Sequence, residues 1–330
     1  MIRRPITLAC LALSTCAAPA LAQTDVRTGC YRCVDDNKTN PSGRTISNFD
    51  WPGTQHGVIL EKGHTIGLTL TDGVIRGAKP VRNSLYPTGL FLKRGRDFTA
   101  ERVTIRDVQT IPDKKYRQGD CVDAENGFVG ITLRYVTLLR CTDGGLDSKG
   151  QDVLLDHVTA AENKINYRLW FNVHRATTII SENPKSAHIQ TNSRQLSTRF
   201  AAGGLDADVV VFRSTNTAPL LHLDAGSSVR IGRCVIDVPA GTRVIAWHNK
   251  GRASNVTLTL GEGCAADAKG FAVNTPIAAA ALPGLDLGEV LPDTNGDGLI
   301  KLSNKKADQH KLPRGTVLRA LGGTRYEVVL

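Results

Sequence analysis

The sequence predicts an all-β fold, a single-stranded right-handed parallel β-helix that forms a solenoid of about eight coils. Short runs rich in β-branched residues alternate with Gly, Asn and Asp, while the apolar spacing of helices is almost absent. The runs also repeat. Residues 131–137 can be laid over residues 153–159 at a spacing of 22, and residues 103–108 can be laid over residues 131–136 at a spacing of 28.

A repeat of this length lets each coil stack on the last, with alternate apolar side chains forming one continuous core. An antiparallel sandwich would instead show hairpin turns between neighbouring strands. The predicted organisation is a signal peptide at residues 1–22, an N-terminal cap at residues 23–56, the parallel β-helix at residues 57–270, and a C-terminal cap or tail at residues 271–330.

The N-terminus has the layout of a secretory signal peptide. Arg3 and Arg4 precede a short apolar run, and small residues close the segment at Ala20 and Ala22. An uncleaved anchor is the alternative. No later stretch has enough consecutive apolar residues for a membrane span, so we expect a secreted or periplasmic protein without one.

The cysteine count indicates disulfide bonds. The chain has 8 cysteines, and two of them lie within residues 1–22, so an even number remains in the exported part. The spacings predict two bonds between strands, Cys121–Cys141 and Cys234–Cys264. For Cys30 and Cys33, a local disulfide is favoured over half of a zinc site, because a second Cys-x-x-Cys is missing.

The chain is basic, with 41 Lys and Arg against 31 Asp and Glu. No nucleic-acid-binding motif accompanies this charge, so nucleic acid is not an expected partner. An exported basic protein favours an anionic partner such as an acidic polysaccharide. We expect the protein to be a monomer.

Two acidic segments align within the repeat. Asp123 in Gly119-Asp120-Cys-Val-Asp123 lies 24 residues before Asp147 in Asp143-Gly-Gly-Leu-Asp147. Parallel neighbours lie about 4.8 Å apart, so these carboxylates should stack. Asp120, Asp123, Asp143 and Asp147 are therefore predicted to hold Ca²⁺, which binds six to eight oxygens. The alternatives are that they are turn formers, or that Lys149 and Arg168 neutralise them.

These motifs carry a family resemblance. Asp143-Gly-Gly-Leu-Asp147, followed by Asn166-Tyr-Arg168-Leu, resembles the acidic and basic turns of pectate-lyase-like β-helices, and among these it is most similar to the family 9 polysaccharide lyases. The resemblance implies that Asp120, Asp143 and Asp147 bind Ca²⁺ and that Arg168 stands at the position of the family's lysine base. Two departures are Gly144, where the family has a second Asp, and arginine in place of lysine.

The predicted function is cleavage of an acidic (uronate) polysaccharide by Ca²⁺-assisted β-elimination, which needs charge neutralisation and a base for the C5 proton. Arg168 would act as the base, or it would stabilise the intermediate while Lys149 or Lys164 takes the proton. An ion pair with Glu125 is an equal alternative for Lys149.

Two residues are predicted to bind substrate. Trp170 lies on the same strand face as Arg168 and would stack on a sugar ring, although a buried tryptophan at the corner of a coil is an equal alternative. We also expect Asn166 to bind substrate.

Two other functions fit the same scaffold. A family 28 glycoside hydrolase would use paired carboxylates for hydrolysis, but its typical motifs are absent in their usual order. A non-enzymatic coil that binds a glycan at the surface is the other candidate, because a fold does not fix a function. Replacement of Arg168 by glutamine would abolish turnover by a lyase but only weaken a binding module.

Overall fold

The structure is a computed structural model of the 330-residue chain. It describes residues 25–26, 32–77, 86–110, 118–196, 199–247, 256–264, 285–286, 289–292, 299–309, 317–322 and 324–328. The predicted signal peptide and Cys30, the predicted disulfide partner of Cys33, lie outside the described residues.

Most of the described residues lie in β-strands, which confirms the all-β prediction. The strands are β1 (Asp25–Val26), β2 (Arg32–Asp35), β3 (Thr45–Thr54), β4 (His56–Leu60), β5 (Thr69–Gly77), β6 (Thr88–Arg106), β7 (Asp120–Arg134), β8 (Thr137–Leu139), β9 (Gly144–Ser148), β10 (Gln151–Ala161), β11 (Ile165–Trp170), β12 (Val173–Glu182), β13 (Ala187–Leu196), β14 (Arg199–Ala202), β15 (Gly204–Arg213), β16 (Leu221–Leu223), β17 (Ser228–Asp237), β18 (Ile245–Trp247), β19 (Thr257–Glu262), β20 (Leu285–Asp286), β21 (Leu299–Lys301), β22 (Val317–Gly322) and β23 (Arg325–Val328). A single helix in the described ranges, α1, spans Asn304–Gln309.

Strands β1 to β19 belong to a sheet in which strands pair in parallel with strands further along the chain. One series of parallel neighbours runs through β4, β6, β7, β9, β11, β13, β16 and β18. A second runs through β5, β6, β7, β10, β12, β15, β17 and β19. Strand β14 forms an antiparallel hairpin with β13. Parallel pairing reaches back to β1, so the sheet begins before the predicted boundary at residue 57.

The structure tests the predicted register. Val153 pairs with Ile131, which confirms the spacing of 22. The spacing of 28 is wrong, because Ile131 pairs with Phe98, and Thr104 pairs with Thr137. Strand β6 is long enough to carry the same apolar alternation in two consecutive stretches, and the pattern alone does not distinguish them.

The strands bend sharply at corners where single residues adopt positive φ. One column of such residues, which we call the corner column, consists of Asp107, Arg140, Glu162 and Asn183, with φ of 59°, 55°, 58° and 43°. Their backbone amides bond the next strand in order; for example, the Arg140 N–H donates to the carbonyl of Ala161 at 3.0 Å. Asp and Asn tolerate this conformation better than most residues, whereas Arg140 and Glu162 adopt it within a stacked corner.

Inward-facing side chains of successive strands form one apolar core. Its largest fully buried members are Trp51, Tyr167, Phe49, Phe98 and Phe128. Both predicted disulfides between strands are present, Cys121–Cys141 and Cys234–Cys264.

The C-terminal strands form a separate sheet. Strands β20 to β23 pair antiparallel in the order β20-β23-β22-β21. Across the ranges that the structure describes, the chain has no helix of the length and apolarity that crossing a membrane requires.

Candidate functional site

Three parallel strands position the predicted site residues. Asp123 on β7 pairs with Asp147 on β9, which in turn pairs with Arg168 on β11. The flanking residues Leu146 and Tyr167 are fully buried in the core. Because side chains alternate along a strand, Asp123, Asp147 and Arg168 form a column on the outer face of the sheet. We call Asp120, Asp123, Asp143 and Asp147 the acidic cluster.

Arg168 lies between two members of the acidic cluster. Its Nη1 donates to Asp143 Oδ2 at 3.0 Å and to Asp147 Oδ2 at 2.8 Å, and its Nη2 donates to Asp143 Oδ1 at 2.9 Å. Burial opposes its charge, but these two carboxylates outweigh burial and raise the Arg168 pKa above its ordinary value. Arg168 is therefore a permanent cation that cannot accept a proton.

Lys164 and Lys149 are also paired with acids. Lys164 Nζ donates to Asp143 Oδ1 at 3.0 Å. Lys149 Nζ donates to Glu125 Oε1 at 2.9 Å, which matches the ion-pair alternative, and lies 3.5 Å from Asp123 Oδ1. Burial would lower the Lys149 pKa, but the neighbouring carboxylates outweigh burial and raise it. Lys149 therefore stays protonated at neutral pH.

Asp120 is held by a glycine. Its Oδ1 accepts the Gly144 N–H at 2.6 Å, and a Cβ added to Gly144 would lie 2.6 Å from that oxygen. A side chain at position 144 would therefore displace Asp120. Burial, with the charges of Asp147 and Asp123, raises the pKa of Asp120 well above its ordinary value.

Asp123 lacks a full set of partners. Its buried Oδ1 accepts no hydrogen bond from any described residue, since the 3.5 Å approach of Lys149 is too long for one. Burial raises the pKa of Asp123 to about 7; Lys149 opposes the rise and Asp147 adds to it. In contrast, Arg168 and Lys164 hold the pKa of Asp143 below its ordinary value despite burial. The acidic cluster thus combines two carboxyl groups with a raised pKa, Asp120 and Asp123, with one whose pKa is lowered, Asp143.

The acidic cluster does not fit the predicted Ca²⁺. Arg168 Nη1 lies within 3.0 Å of both Asp143 and Asp147, which places a guanidinium between carboxylates that would have to face a metal ion. Among the residues that the structure describes, no group of three or more His, Cys, Asp or Glu side chains has the arrangement of a metal site. The ion-pair alternative describes the cluster, and no reaction step is assigned to Ca²⁺.

The two predicted substrate-binding residues differ in access. Asn166 is fully buried, and its Nδ2 donates to Ser181 Oγ at 2.9 Å and to the Glu182 carbonyl at 3.0 Å. The Asn166 side chain is therefore closed to solvent in this structure, and its role in substrate binding stays a prediction. Trp170 is partly exposed, and its Nε1 donates to Asp147 Oδ1 at 2.7 Å. This bond fixes the indole beside the acidic cluster.

Sequence reasoning missed Asn163. Its Oδ1 accepts the Cys141 N–H at 2.7 Å, and its Nδ2 donates to the Leu138 carbonyl and to Asn166 Oδ1, both at 3.0 Å. Asn163 thereby ties the segment before β9 to the segment before β11. Its position 22 residues after Cys141, within the repeat, is the signal that could have identified it.

Comparison of the chain with protein-family models, curated proteins and solved structures found no match.

Proposed function

We propose that this chain is an exported, pectate-lyase-like right-handed parallel β-helix of about eight coils. The interleaved parallel series and the repeated pairing at 21 to 33 residues support a solenoid, as between Asp147 and Arg168 and between Phe98 and Ile131. Crossovers between parallel strands are right-handed in nearly all proteins. Export is supported by the N-terminal sequence and by the disulfides.

We further propose that the protein is an enzyme that cleaves the glycosidic bonds of a polysaccharide by hydrolysis. One observation carries this proposal: two carboxyl groups stacked on the outer face, Asp123 and Asp147, have contrasting environments. Asp123 keeps a proton to about pH 7, whereas both oxygens of Asp147 accept hydrogen bonds, from Arg168 and Trp170. Such a pair supplies a general acid that protonates the leaving oxygen and a carboxylate that can act as the nucleophile.

The spacing of the pair favours a two-step reaction. Strands β7 and β9 are direct neighbours, and backbones in a sheet lie about 4.8 Å apart, close to the carboxyl separation of about 5 Å in retaining glycosidases. Asp123 gives its proton to the leaving oxygen as that bond to C1 breaks and Asp147 bonds to C1. Water, losing a proton to Asp123, then displaces Asp147. The free lone pairs of the Asp147 oxygens allow the attack.

Elimination by a lyase, the function predicted from the sequence, has less support from the geometry. Arg168 and Lys149 are held in their protonated forms, so neither can take the C5 proton. Lys164, whose side chain is 48% exposed, is the candidate base that solvent reaches most easily, although it is bound to Asp143. The lyase remains a prediction that the following assay tests directly.

The test is to incubate the protein without residues 1–22 with neutral and acidic polysaccharides and to measure two products. New reducing ends without the ultraviolet absorbance of an unsaturated uronate would support hydrolysis. If reducing ends and ultraviolet absorbance rise together, the reaction is elimination. If neither rises on any polymer, glycan binding remains as the candidate function.

A second measurement tests the roles of the pair. We expect Asp147→Asn to abolish turnover and to prevent covalent labelling by a fluorinated glycoside, while Asp97→Asn, on the exposed surface, leaves both unchanged. Labelling of the Asp147→Asn variant would refute the role of Asp147 as the nucleophile.

A further inference from the structure

We propose that a groove beside the acidic cluster binds an anionic sugar unit of the polysaccharide, with Lys185 facing the anion. The inference rests on the proposed function and deepens it, because it names the substrate as an acidic glycan and places one of its units. We call this groove the corner groove. Its walls include Gln109, Arg140, Thr142, Glu162, Asn183 and Lys185.

The corner groove has the size of a ligand site. Its volume is about 380 Å³, within the range of about 300 to 1,000 Å³ for small-molecule pockets. Arg140, Glu162 and Asn183 of the corner column all line it. Successive members of the column directly follow neighbouring strands, so the groove runs across the strands. An extended glycan chain that crosses several strands would follow this direction.

Each described residue that lines the corner groove carries a side chain able to form hydrogen bonds. The side chains of Gln109, Glu162 and Lys185 are exposed, and Asn183 and Thr142 are partly exposed. Among the residues that the structure describes, no aromatic or large aliphatic side chain lines the groove. Amides, a hydroxyl group and charged groups match the hydroxyl groups of a sugar better than an apolar ligand.

The charges of the corner groove select an anion. Within the described part of the chain, Lys185 has no carboxylate within ion-pair distance, whereas Arg140 is bound to Asp107 at 2.8 Å. Glu162 is the single acidic wall residue among the described residues. Lys185 therefore supplies a cation that is available to a carboxylate or a sulfate.

The chain connects the corner groove to the acidic cluster. Thr142 directly precedes Asp143, and Glu162 lies two residues before Lys164. The Lys185 amide donates to the Asn163 carbonyl at 2.9 Å, which fixes the segment before β13 beside the segment before β11, where Lys164 lies. A sugar in the groove would therefore neighbour the bond that Asp123 and Asp147 are proposed to cleave.

The test measures binding in the Asp123→Asn variant, in which turnover is removed. The probes are an oligogalacturonate, a sulfated chondroitin oligosaccharide and a neutral xylo-oligosaccharide of equal length, studied by calorimetry. We expect at least one anionic probe to bind, and Lys185→Gln to weaken that binding about fivefold, as for loss of one partly exposed charge contact. The preferred anion distinguishes carboxylate from sulfate.

The control is Lys38→Gln, which removes the same charge from another exposed lysine and should leave binding unchanged. Equal binding with and without Lys185, binding of the neutral probe as tight as that of the anionic ones, or no binding of either anionic probe would overturn the proposal. Binding that depends on Lys185 in a protein without hydrolytic activity would refute the proposed function but not the corner groove. Hydrolysis with a KM unaffected by Lys185→Gln would refute the groove alone.

Discussion

Asp123 carries its unusual protonation because burial removes water from its carboxyl group while Lys149 remains too distant for a hydrogen bond. A carboxyl group whose pKa rises to about 7 on folding binds a proton more tightly in the native state. It therefore lowers stability as the pH rises from about 4 to about 7. The same property that suits Asp123 to donate a proton makes its ionised form unfavourable for the fold.

We expect Asp123→Asn to remove more than about 99% of the activity, as for loss of a general acid. The free energy of unfolding at pH 8 should stay equal or rise, because a neutral amide replaces a carboxylate that is ionised there. Denaturant titration and the reducing-end assay check the two parts. Lower stability of the variant at pH 8 would contradict the assigned protonation.

Arg168 is expected to be structurally essential. Replacement by glutamine leaves Asp143 and Asp147 without their shared cation, and breaking a buried ion pair in this way costs about 3 to 5 kcal/mol. Urea unfolding of Arg168→Gln should show this loss. Arg96→Gln, at a side chain that is 63% exposed, should change the free energy of unfolding by less than about 0.5 kcal/mol. Similar stabilities of the two variants would contradict the structural role.

Single residues show what the sequence could predict about the site. The stacking of Asp123 on Asp147 and the pair between Lys149 and Glu125 follow from alternation and repeat length, and the structure contains both. The inward orientation of Asn166 depends on the bend before β11, and the position of Arg168 between two carboxylates depends on side-chain packing. Alternation does not encode either feature.

At the scale of the elements, register was predictable where the repeat is short and uniform. The spacings of 22 and 24 hold because β7, β8, β9 and β10 follow one another with short corners. The spacing of 28 fails at β6, whose 19 residues pass two corners and offer two similar apolar stretches. Register there is set by the positions of Arg102 and Asp107, which adopt positive φ, and by the length of the preceding segment.

The two disulfides allow a controlled test of whether a disulfide positions the acidic cluster. Cys121–Cys141 joins β7 to the segment before β9, close to Asp120 and Asp143. Cys234–Cys264 joins β17 to the segment after β19, distant from the acidic cluster in sequence. Loops of 20 and 30 residues predict a stabilisation of about 3 kcal/mol from each bond.

We therefore expect each double Cys→Ala variant to lose similar stability in urea. Activity measured under conditions where both variants remain folded should fall severalfold only without Cys121–Cys141. Equal activity of the two variants would mean that the bond does not position the acidic cluster.

At the scale of the whole molecule, three buried histidines make the fold sensitive to acid. Burial lowers the pKa of His56, His174 and His188 to about 4 each, from 6.5. Because the unfolded chain binds protons more readily, this part of the stability is complete above about pH 6.5 and is lost as the pH falls toward about 4.

The prediction is a fall in the free energy of unfolding between pH 6.5 and pH 4.5, measured by denaturant titration. The raised pKa values of Asp123 and Asp120 act in the opposite direction over this range, so the fall should be steeper in Asp123→Asn, which removes one of the two opposing groups. A flat profile for that variant, or imidazole resonances that titrate near pH 6.5 in the folded protein, would contradict the assignment.

The uneven length of the segments between parallel partners has an evolutionary consequence. Arg168 pairs with a residue 21 positions earlier, whereas Leu221 pairs with one 32 positions earlier, and both pairs lie in the same series of neighbours. The lattice of inward side chains thus accepts insertions at corners without a change in the strands themselves. Natural variation can accumulate in these segments at little risk to folding, so lineages of this scaffold can diverge in ligand preference while inheriting an unaltered interior.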